Sequence, residues 1–290
     1  MFNMMTTILA GLSIGAVYTM VAIGYNIVFI SSRVFNFAQA QFLMVGAFVA
    51  LVAARQFDLP LWAAILLCAA SGGIIGALEE ILAIRRLAGR GAHNELVTTL
   101  GVGVLMSGAA LAIFGSDPQK LIFFDETAFS FLGGRVVMVD LLLILVAILL
   151  AGIVGLVTRK SMIGLASLAT SEDRDAGMLR GINVKRLALI AFVIAGALVA
   201  AVGPLVASKT LVHYHLGDLL AVKAFVALAI GGFGSYRGAL IGGFVVGLLE
   251  MFGARYLGTE WQNITVFALL LVVLLVLPQG IFGRRNERVV

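Results

Sequence analysis

Long apolar runs broken by short polar stretches dominate the pattern of this 290-residue chain. A helix that crosses a bilayer needs about 20 mostly apolar residues. Runs of roughly that size are Thr6–Ile30, Phe35–Ala54, Pro60–Ile84, Leu96–Gly115, Leu141–Thr158, Ala188–Ala207, Leu219–Gly232, Ala239–Met251 and Ile264–Leu277. The pattern therefore predicts an all-α polytopic membrane protein with about eight or nine transmembrane or partly re-entrant helices.

Two of these runs, Leu219–Gly232 and Ala239–Met251, are short and are separated only by the residues FGSYRG. They are predicted to be either full crossings that borrow flanking residues or a pair of broken, partly re-entrant helices.

In the run before them, Pro204 is expected to kink its helix. The many glycines within the runs are interpreted mainly as sites of close helix packing.

Composition supports a membrane protein and excludes several other classes. The chain is 61% hydrophobic and 12% charged, whereas a soluble domain carries about 25% charged residues. The N-terminal run follows no basic region and shows no small-residue cleavage pattern, which predicts a retained span. The single Cys68 excludes an intrachain disulfide. The bases lie in breaks between apolar runs and do not form the exposed basic face that binds nucleic acid.

The distribution of Lys and Arg predicts the orientation of the chain. With the N-terminus outside and every run crossing, most of the 20 basic residues fall on the cytoplasmic side. This places the C-terminus and residues 159–187 in the cytoplasm and makes residues 116–140 a periplasmic loop. Gly133 and Gly134 in that loop predict a small hairpin.

The longest polar stretch, residues 159–187, is predicted to carry a short helix. Ser171 is followed by Glu172 and Asp173 and then by several bases, which is the pattern of an N-cap with a complemented helix dipole. Small residues there, Ala176 and Gly181 among them, allow close approach of another protein. The alternative is a solvated charged loop that only holds orientation.

Amide side chains at membrane depth are costly and are therefore candidates for a solute pathway. Asn36, Gln39 and Gln41 are such residues. Asn36 and Gln39 are expected to share a helical face through their spacing of three. Hydrogen bonding between helices is an equally open role for all three.

Other polar residues are assigned less specific roles. Glu79 and Glu80 are expected to be solvated near the cytoplasmic surface. Asp218 and Lys223 are expected to pair or to snorkel outward. His213 and His215 have no third ligand nearby, so a metal site is not predicted.

Motifs for catalysis are not found in the sequence: it has no phosphate-binding loop, no zinc-protease motif and no nucleophile elbow. The chain is therefore expected to be no enzyme, with no catalytic residue, and any ATPase must be a separate polypeptide. The main alternative is a stand-alone secondary transporter or channel, which would feature inverted repeats or intramembrane carboxylates.

Several blocks, in order, carry a family resemblance. They are GLSIGAVYTMVAIGYNIVF, NFAQAQFLMVGAF, TTLGVGVLMSGAALAIFGSDP, SEDRDAGMLRGINVKRLALIAFVIAGALVAAVGPL, VKAFVALAIGGFGSYRGALIGGFVVGLLE and LPQGIFGR. Together they resemble the branched-chain amino acid ABC transporter permeases of the H type. The resemblance implies one transmembrane permease domain over residues 1–290, in the inner membrane of a bacterium, working by alternating access.

The resemblance also implies partners. These are an M-type permease or a homodimer mate, two cytoplasmic ATPase subunits and a periplasmic solute-binding protein. ATP and Mg²⁺ would bind those ATPases, and no cofactor is expected in this chain. It further implies that residues 159–187 form a coupling loop whose ATPase contacts are Glu172, Asp173, Ala176 and Gly181.

One block departs from the family pattern. The family commonly has NFAHGE where this chain has Asn36-Phe37-Ala38-Gln39-Ala40-Gln41. Neutral glutamines thus replace a histidine and an acid in the expected translocation region. The solute is left open between a branched-chain amino acid and urea, a short amide, or an aromatic or other organic acid.

Overall fold

The computed structural model describes residues 4–87, 92–124, 127–277 and 279–283. Almost all of these residues are helical. The elements are α1 (Met4–Ser32), α2 (Gln39–Arg55), α3 (Leu61–Glu79), a π-helical segment (Glu80–Ile84), α4 (Arg85–Leu87), α5 (Ala92–Phe114), β1 (Phe129–Phe131), β2 (Gly134–Val136), α6 (Met138–Lys160), α7 (Met162–Glu172), α8 (Arg174–Leu179), α9 (Val184–Ala201), α10 (Gly203–Lys209), α11 (Leu216–Gly231), α12 (Tyr236–Tyr256), a 3₁₀ turn (Thr259–Trp261) and α13 (Gln262–Val276).

The helices confirm the prediction of an all-α polytopic membrane protein. Within the described residues, seven stretches are long and apolar enough to cross a bilayer: Met4–Ser32, Leu61–Ile84, Asn94–Phe114, Met138–Lys160, Val184–Lys209, Tyr236–Tyr256 and Thr259–Val276. The other two predicted runs form α2 and α11, of 17 and 16 residues. At 1.5 Å per residue each is about 25 Å long, somewhat short of a hydrocarbon core of about 30 Å.

The chain divides into two compact units, and three of the four boundaries between them fall within α1, α6 and α11. The first unit comprises Met1–Asn26, Glu126–Gly155 and Val222–Val290, and the second comprises Ile27–Asp125 and Leu156–Ala221. Each unit is described by itself below.

In the first unit, α1 and α12 approach closely through two pairs of glycines. A Cβ on Gly15 would lie 2.6 Å from the carbonyl oxygen of Gly243, and one on Gly247 would collide with Gly11. Each helix thus presents two small residues four positions apart, the spacing that lets membrane helices touch along their backbones. The packing role predicted for these glycines is confirmed.

The first unit also contains the predicted hairpin. Strands β1 and β2 pair antiparallel, with Phe131 opposite Gly134. Leu132 and Gly133 form the two-residue turn with φ of 50° and 80°, and positive φ at both positions is what a tight hairpin of this twist requires. The turn begins one residue earlier than the Gly133-Gly134 pair suggested.

In the second unit, α3 packs against α9 with almost no side chain between them. A Cβ on Gly72 would collide with the backbone of Gly196, and one on Gly76 would collide with the carbonyl of Phe192. Gly101 and Gly108 of α5 differ, because a Cβ on either would meet no described atom within 4 Å. The small-residue packing predicted for the runs therefore holds for α3 but not for these two positions of α5.

The chain breaks just ahead of Pro204, as predicted. Helix α9 ends at Ala201 and α10 begins at Gly203, with proline in its first turn. Proline lacks the N–H that an uninterrupted helix would direct to residue 200, but it is well tolerated at a helix start. One apolar run is therefore built as two consecutive helices.

Candidate functional site

Asn36 lies in the turn before α2 and not on the helix. Its Oδ1 accepts a hydrogen bond from the backbone N–H of Ala38 at 2.9 Å, and its Nδ2 donates to Glu79 Oε2 at 2.8 Å. The prediction that Asn36 and Gln39 share a helical face is wrong, because α2 begins only at Gln39. Asn36 instead fixes the entry to α2 and joins it to the end of α3.

Gln39 bonds to a neighbouring helix through its nitrogen. Its Nε2 donates to the carbonyl oxygen of Ala195 in α9 at 3.1 Å. Its Oε1 is buried and has no hydrogen-bond partner among the described residues. The sequence left two roles for Gln39, a solute pathway or hydrogen bonding between helices. The bond to Ala195 shows the second role for the amide nitrogen.

Gln41 turns to a different partner, at the start of α11. Its Nε2 donates to Asp218 Oδ1 at 2.6 Å, and Asp218 Oδ2 lies 2.6 Å from Nδ1 of His215. Partial burial and the neighbouring His215 ring lower the pKa of His213, while the Asp218 carboxylate opposes that shift. Asp218 thus connects His215 to the buried amide of Gln41.

Glu79 and Glu80 are buried, so the expectation that they are solvated is wrong. They are 4% and 2% exposed. Glu80 accepts two hydrogen bonds from Arg85, at 3.1 and 2.7 Å, across the π-helical segment that follows α3. π-Helical turns are rare and frequently mark functional positions. Sequence reasoning placed both acids in solvent because bases follow them closely.

The first unit holds a second buried polar group. Lys223 Nζ donates to Glu250 Oε1 at 2.7 Å, and Gln262 Nε2 donates to the same oxygen at 2.8 Å. The hydroxyl of Tyr18 donates to the other oxygen of Glu250. The expected pairing of Lys223 with Asp218, or its snorkelling outward, is wrong, because the lysine is buried against a carboxylate on the next helix.

The predicted coupling loop folds into two helices, α7 and α8. Ser161 caps α7, since its side chain accepts from Gly164 N, and Asp173 caps α8, since its carboxylate accepts from the N–H groups of Asp175 and Ala176. The prediction that Ser171 is the N-cap is wrong, because Ser171 lies inside the last turn of α7. One short helix is predicted for this stretch, whereas the structure has two, α7 of 11 residues and α8 of 6.

The four residues proposed for ATPase contact are exposed. Glu172 ends α7, Asp173 is the N-cap of α8, Ala176 lies in the first turn of α8, and Gly181 follows α8. Leu179 lies one turn after Ala176 and is 90% exposed. Sequence reasoning missed it, although an apolar residue three positions after Ala176 in a polar stretch was the available signal.

Gly181 ends α8 through its backbone conformation. Its φ is +85°, its N–H donates to Met178 O at 3.0 Å, and the N–H of Ile182 donates to Gly177 O at 3.1 Å. These two bonds form the glycine-terminated motif that satisfies the last carbonyls of a helix. The small residue is therefore required by the turn as well as being available for a protein contact.

Seven described stretches long and apolar enough to cross a bilayer, with buried polar side chains between them and an exposed helical segment, define a polytopic membrane protein. Residues 7–274 match the family model described as branched-chain amino acid transport system, permease component. The chain belongs to this family.

Curated relatives resemble the chain over nearly its whole length. The high-affinity branched-chain amino acid transport system permease protein LivH of Salmonella typhimurium is 31% identical, over 94% of each chain. The corresponding protein BraD of Pseudomonas aeruginosa is 29% identical, over 98% of this chain and 97% of its own. The solved structure PsaBC from Streptococcus pneumoniae in complex with Fab covers 96% of this chain, at 13% identity and a TM-score of 0.47, a similarity too low to support an argument.

The chain is thus the permease subunit of an ABC importer, and it is not itself an enzyme. This favours the importer over the alternative of a stand-alone secondary transporter or channel. Buried carboxylates, which that alternative would feature, do occur at Glu79 and Glu250. Glu250 accepts hydrogen bonds from Lys223, Gln262 and Tyr18, and Glu79 accepts one from Asn36.

Proposed function

We propose that this permease imports branched-chain amino acids or a related small polar or organic-acid solute. It acts in the inner membrane of a bacterium, with the N-terminus outside and the C-terminus in the cytoplasm. Its partners are a second permease, either M-type or a second copy, two cytoplasmic ATPase subunits and a periplasmic solute-binding protein. The relatives named for branched-chain amino acid transport support this solute class.

The observation that carries the proposal, beyond family membership, is the exposed α7–α8 segment. Ser167 of α7 contacts Ser31 at the end of α1 through a hydrogen bond of 3.1 Å. Gly177 of α8 is buried against Thr170 of α7. The segment is therefore attached to the second unit on one side, and it leaves Glu172, Asp173, Ala176 and Leu179 exposed on the other.

This arrangement suits the transmission of force from an ATPase. The exposed Leu179 at the end of α8 is the apolar anchor for a groove on the ATPase, and the exposed acids Glu172 and Asp173 just before α8 extend the contact. ATP binding closes the ATPase dimer, α7 and α8 follow, and the spans open outward toward a docked solute-binding protein. Hydrolysis reverses these steps. ATP and Mg²⁺ are held by the ATPases, and this chain supplies neither a nucleotide site nor a catalytic group.

Alternating access requires two states of the helices that both partners bias. The close glycine contacts of α3 with α9 favour movement of these helices as one body, because interdigitated backbones resist independent sliding. Asn36, Gln39 and Gln41 lie at the start of α2 in the same unit and are the proposed pathway residues. The buried acceptor oxygens of Gln39 and Gln41, which have no hydrogen-bond partner among the described residues, support contact with a solute.

Purification and reconstitution test the proposal. The tagged chain is expressed with its genomic neighbours, and the isolated assembly is placed in proteoliposomes with the solute-binding protein. Co-isolation of ATPase subunits and ATP-dependent uptake of L-leucine are expected. Uptake by this chain alone, driven by an ion gradient and insensitive to ATP, would reject the importer.

A further inference from the structure

A polar cluster at the start of α11 holds the Gln41 side chain in one orientation. The cluster consists of Gln41, His215, Gly217 and Asp218. Asp218 accepts from Gln41 Nε2 through one oxygen and contacts His215 Nδ1 through the other, both at 2.6 Å. Because an ionised carboxylate can only accept hydrogen bonds, the amide nitrogen must face Asp218. The carbonyl oxygen of Gln41 therefore points away from Asp218.

That oxygen is buried and lies beside a glycine. Gln41 is 4% exposed, and its Oε1 has no hydrogen-bond partner among the described residues. A Cβ on residue 217 would collide with this oxygen and with the rest of the Gln41 amide, so glycine at this position is what allows the amide to lie there. Buried polar atoms in folded proteins are nearly always paired, and an exception calls for an explanation. A partner that binds and leaves provides one.

We propose that Gln41 Oε1 accepts a hydrogen bond from an N–H group of the transported solute, and that Asp218 is the positioning residue that keeps this oxygen available. The inference rests on the proposed transport function and names the chemistry that this site selects. An ammonium or an amide group satisfies the oxygen. A nitrogen-free carboxylate does not, because it would bring a charged acceptor against an acceptor.

The exposure of the cluster indicates how a solute reaches it. The side chains of His215 and Asp218 are 58% and 47% exposed, whereas Gln41 lies behind them. The conformation described here occludes the oxygen, so a solute gains access only when the start of α11 moves relative to α2. Alternating access supplies such a movement.

The experiment uses the complete transporter in proteoliposomes with its solute-binding protein. The probes are L-leucine as an ammonium donor, isobutyramide as a neutral amide donor and 4-methylpentanoate as a nitrogen-free acid. Gln41→Met keeps the size of the side chain and removes the acceptor. The KM is expected to rise about tenfold for a transported ammonium probe and about threefold for a transported amide probe, since bonds to charged donors are stronger. The kcat is expected to stay within about twofold.

Asp218→Asn tests positioning. This change lets position 218 donate as well as accept, which frees the Gln41 amide to turn, so the KM is expected to rise. The double variant Gln41→Glu with Asp218→Asn reverses the direction of the bond, leaves an acceptor oxygen for the solute and is expected to restore the KM. Gln56→Met, the same change at an exposed position after α2, is the matched control and is expected to leave the KM unchanged.

Gly217→Ala provides a test that removes no polar group. The added methyl would collide with the Gln41 amide and displace its Oε1 from this position, so the KM is expected to rise as for Gln41→Met. If Gln41→Met fails to assemble, Gly217→Ala replaces it as the test of the proposal. An unchanged KM in both assembled variants, or wild-type uptake of 4-methylpentanoate but of neither nitrogen-bearing probe, overturns the proposal. If the wild-type assembly shows neither ATP-dependent uptake nor ATP hydrolysis, the proposed function itself is rejected.

Discussion

At the residue scale, backbone requirements and functional roles coincide at single positions. Gly181 was proposed for ATPase contact because it is small, and it is also the left-handed residue that ends α8. Asp173 was proposed for the same contact, and it is also the N-cap of α8. A substitution at either residue therefore changes the shape of the segment as well as its surface.

Two substitutions at Gly181 separate these effects. Gly181→Val places a β-branched residue at positive φ, which costs about 1–3 kcal/mol and is expected to unravel the end of α8. Gly181→Asn adds a side chain but tolerates this conformation. Solute-stimulated ATP hydrolysis by the purified assembly is expected to fall severalfold for Val and to be mostly retained for Asn. Equal loss in both variants would show that added bulk at the contact, rather than the turn, is decisive.

At the element scale, helix packing depends on which glycine faces which backbone. Gly72 and Gly73 are neighbours in α3, but only Gly72 faces the backbone of Gly196. A Cβ on Gly73 would lie 3.5 Å from Val193 Cγ1, an ordinary contact. The two positions therefore form a natural comparison.

Gly72→Ala is expected to lower the stability of the permease by about 1–3 kcal/mol, because α3 and α9 must separate to admit the methyl group. Gly73→Ala is expected to be neutral or slightly stabilising, because alanine favours the helix over glycine. Thermal unfolding in detergent measures both. Comparable destabilisation by the two variants would contradict the close contact at Gly72.

The buried pair between α11 and α12 gives a second prediction at this scale. Lys223→Met leaves Glu250 without its cation and is expected to cost about 3–5 kcal/mol. The double variant Lys223→Met with Glu250→Gln removes both charges and is expected to be less destabilised than the single variant. Unfolding midpoints of the two variants, measured in the same detergent, provide the comparison. A double variant at least as unstable as the single one would contradict the ion pair.

At the scale of the whole molecule, the open question is which loops face which side of the membrane. The distribution of bases predicts that residues 116–140 are outside and residues 159–187 are inside. The chain has one cysteine, Cys68, which is buried and contacts the carbonyl oxygen of Gly46 at 3.1 Å. Single reporter cysteines can therefore be placed in each loop.

In a Cys68→Ser background, which keeps a donor for Gly46, Ile122→Cys and Leu179→Cys place thiols at positions that are 61% and 90% exposed. A membrane-impermeant maleimide added to intact cells is expected to label the cysteine introduced at position 122. In cells that express the permease without the ATPase subunits, which would cover position 179, it should label the cysteine introduced there only after permeabilisation. The opposite pattern would invert the proposed topology and remove α7 and α8 from the ATPase side.

The sequence by itself determined the place of the apolar helices, the hairpin at Gly133 and the break ahead of Pro204. These features depend on local properties: apolar length, turn conformation and a missing N–H. A helix in lipid satisfies its own backbone whatever its neighbours are, so its existence can be predicted from its composition. The family pattern was likewise visible in short consecutive blocks.

Only the tertiary structure decided which polar side chains meet. Asn36 reaches Glu79 across 43 positions, Gln41 reaches Asp218 across 177, and Tyr18 reaches Glu250 across 232. Such pairs depend on the rotation and depth of each helix, which are set by packing against other helices. Hydropathy records how long a helix is but not which way it is turned. For that reason the candidate residues Asn36, Gln39 and Gln41 were found from sequence, and their partners were not.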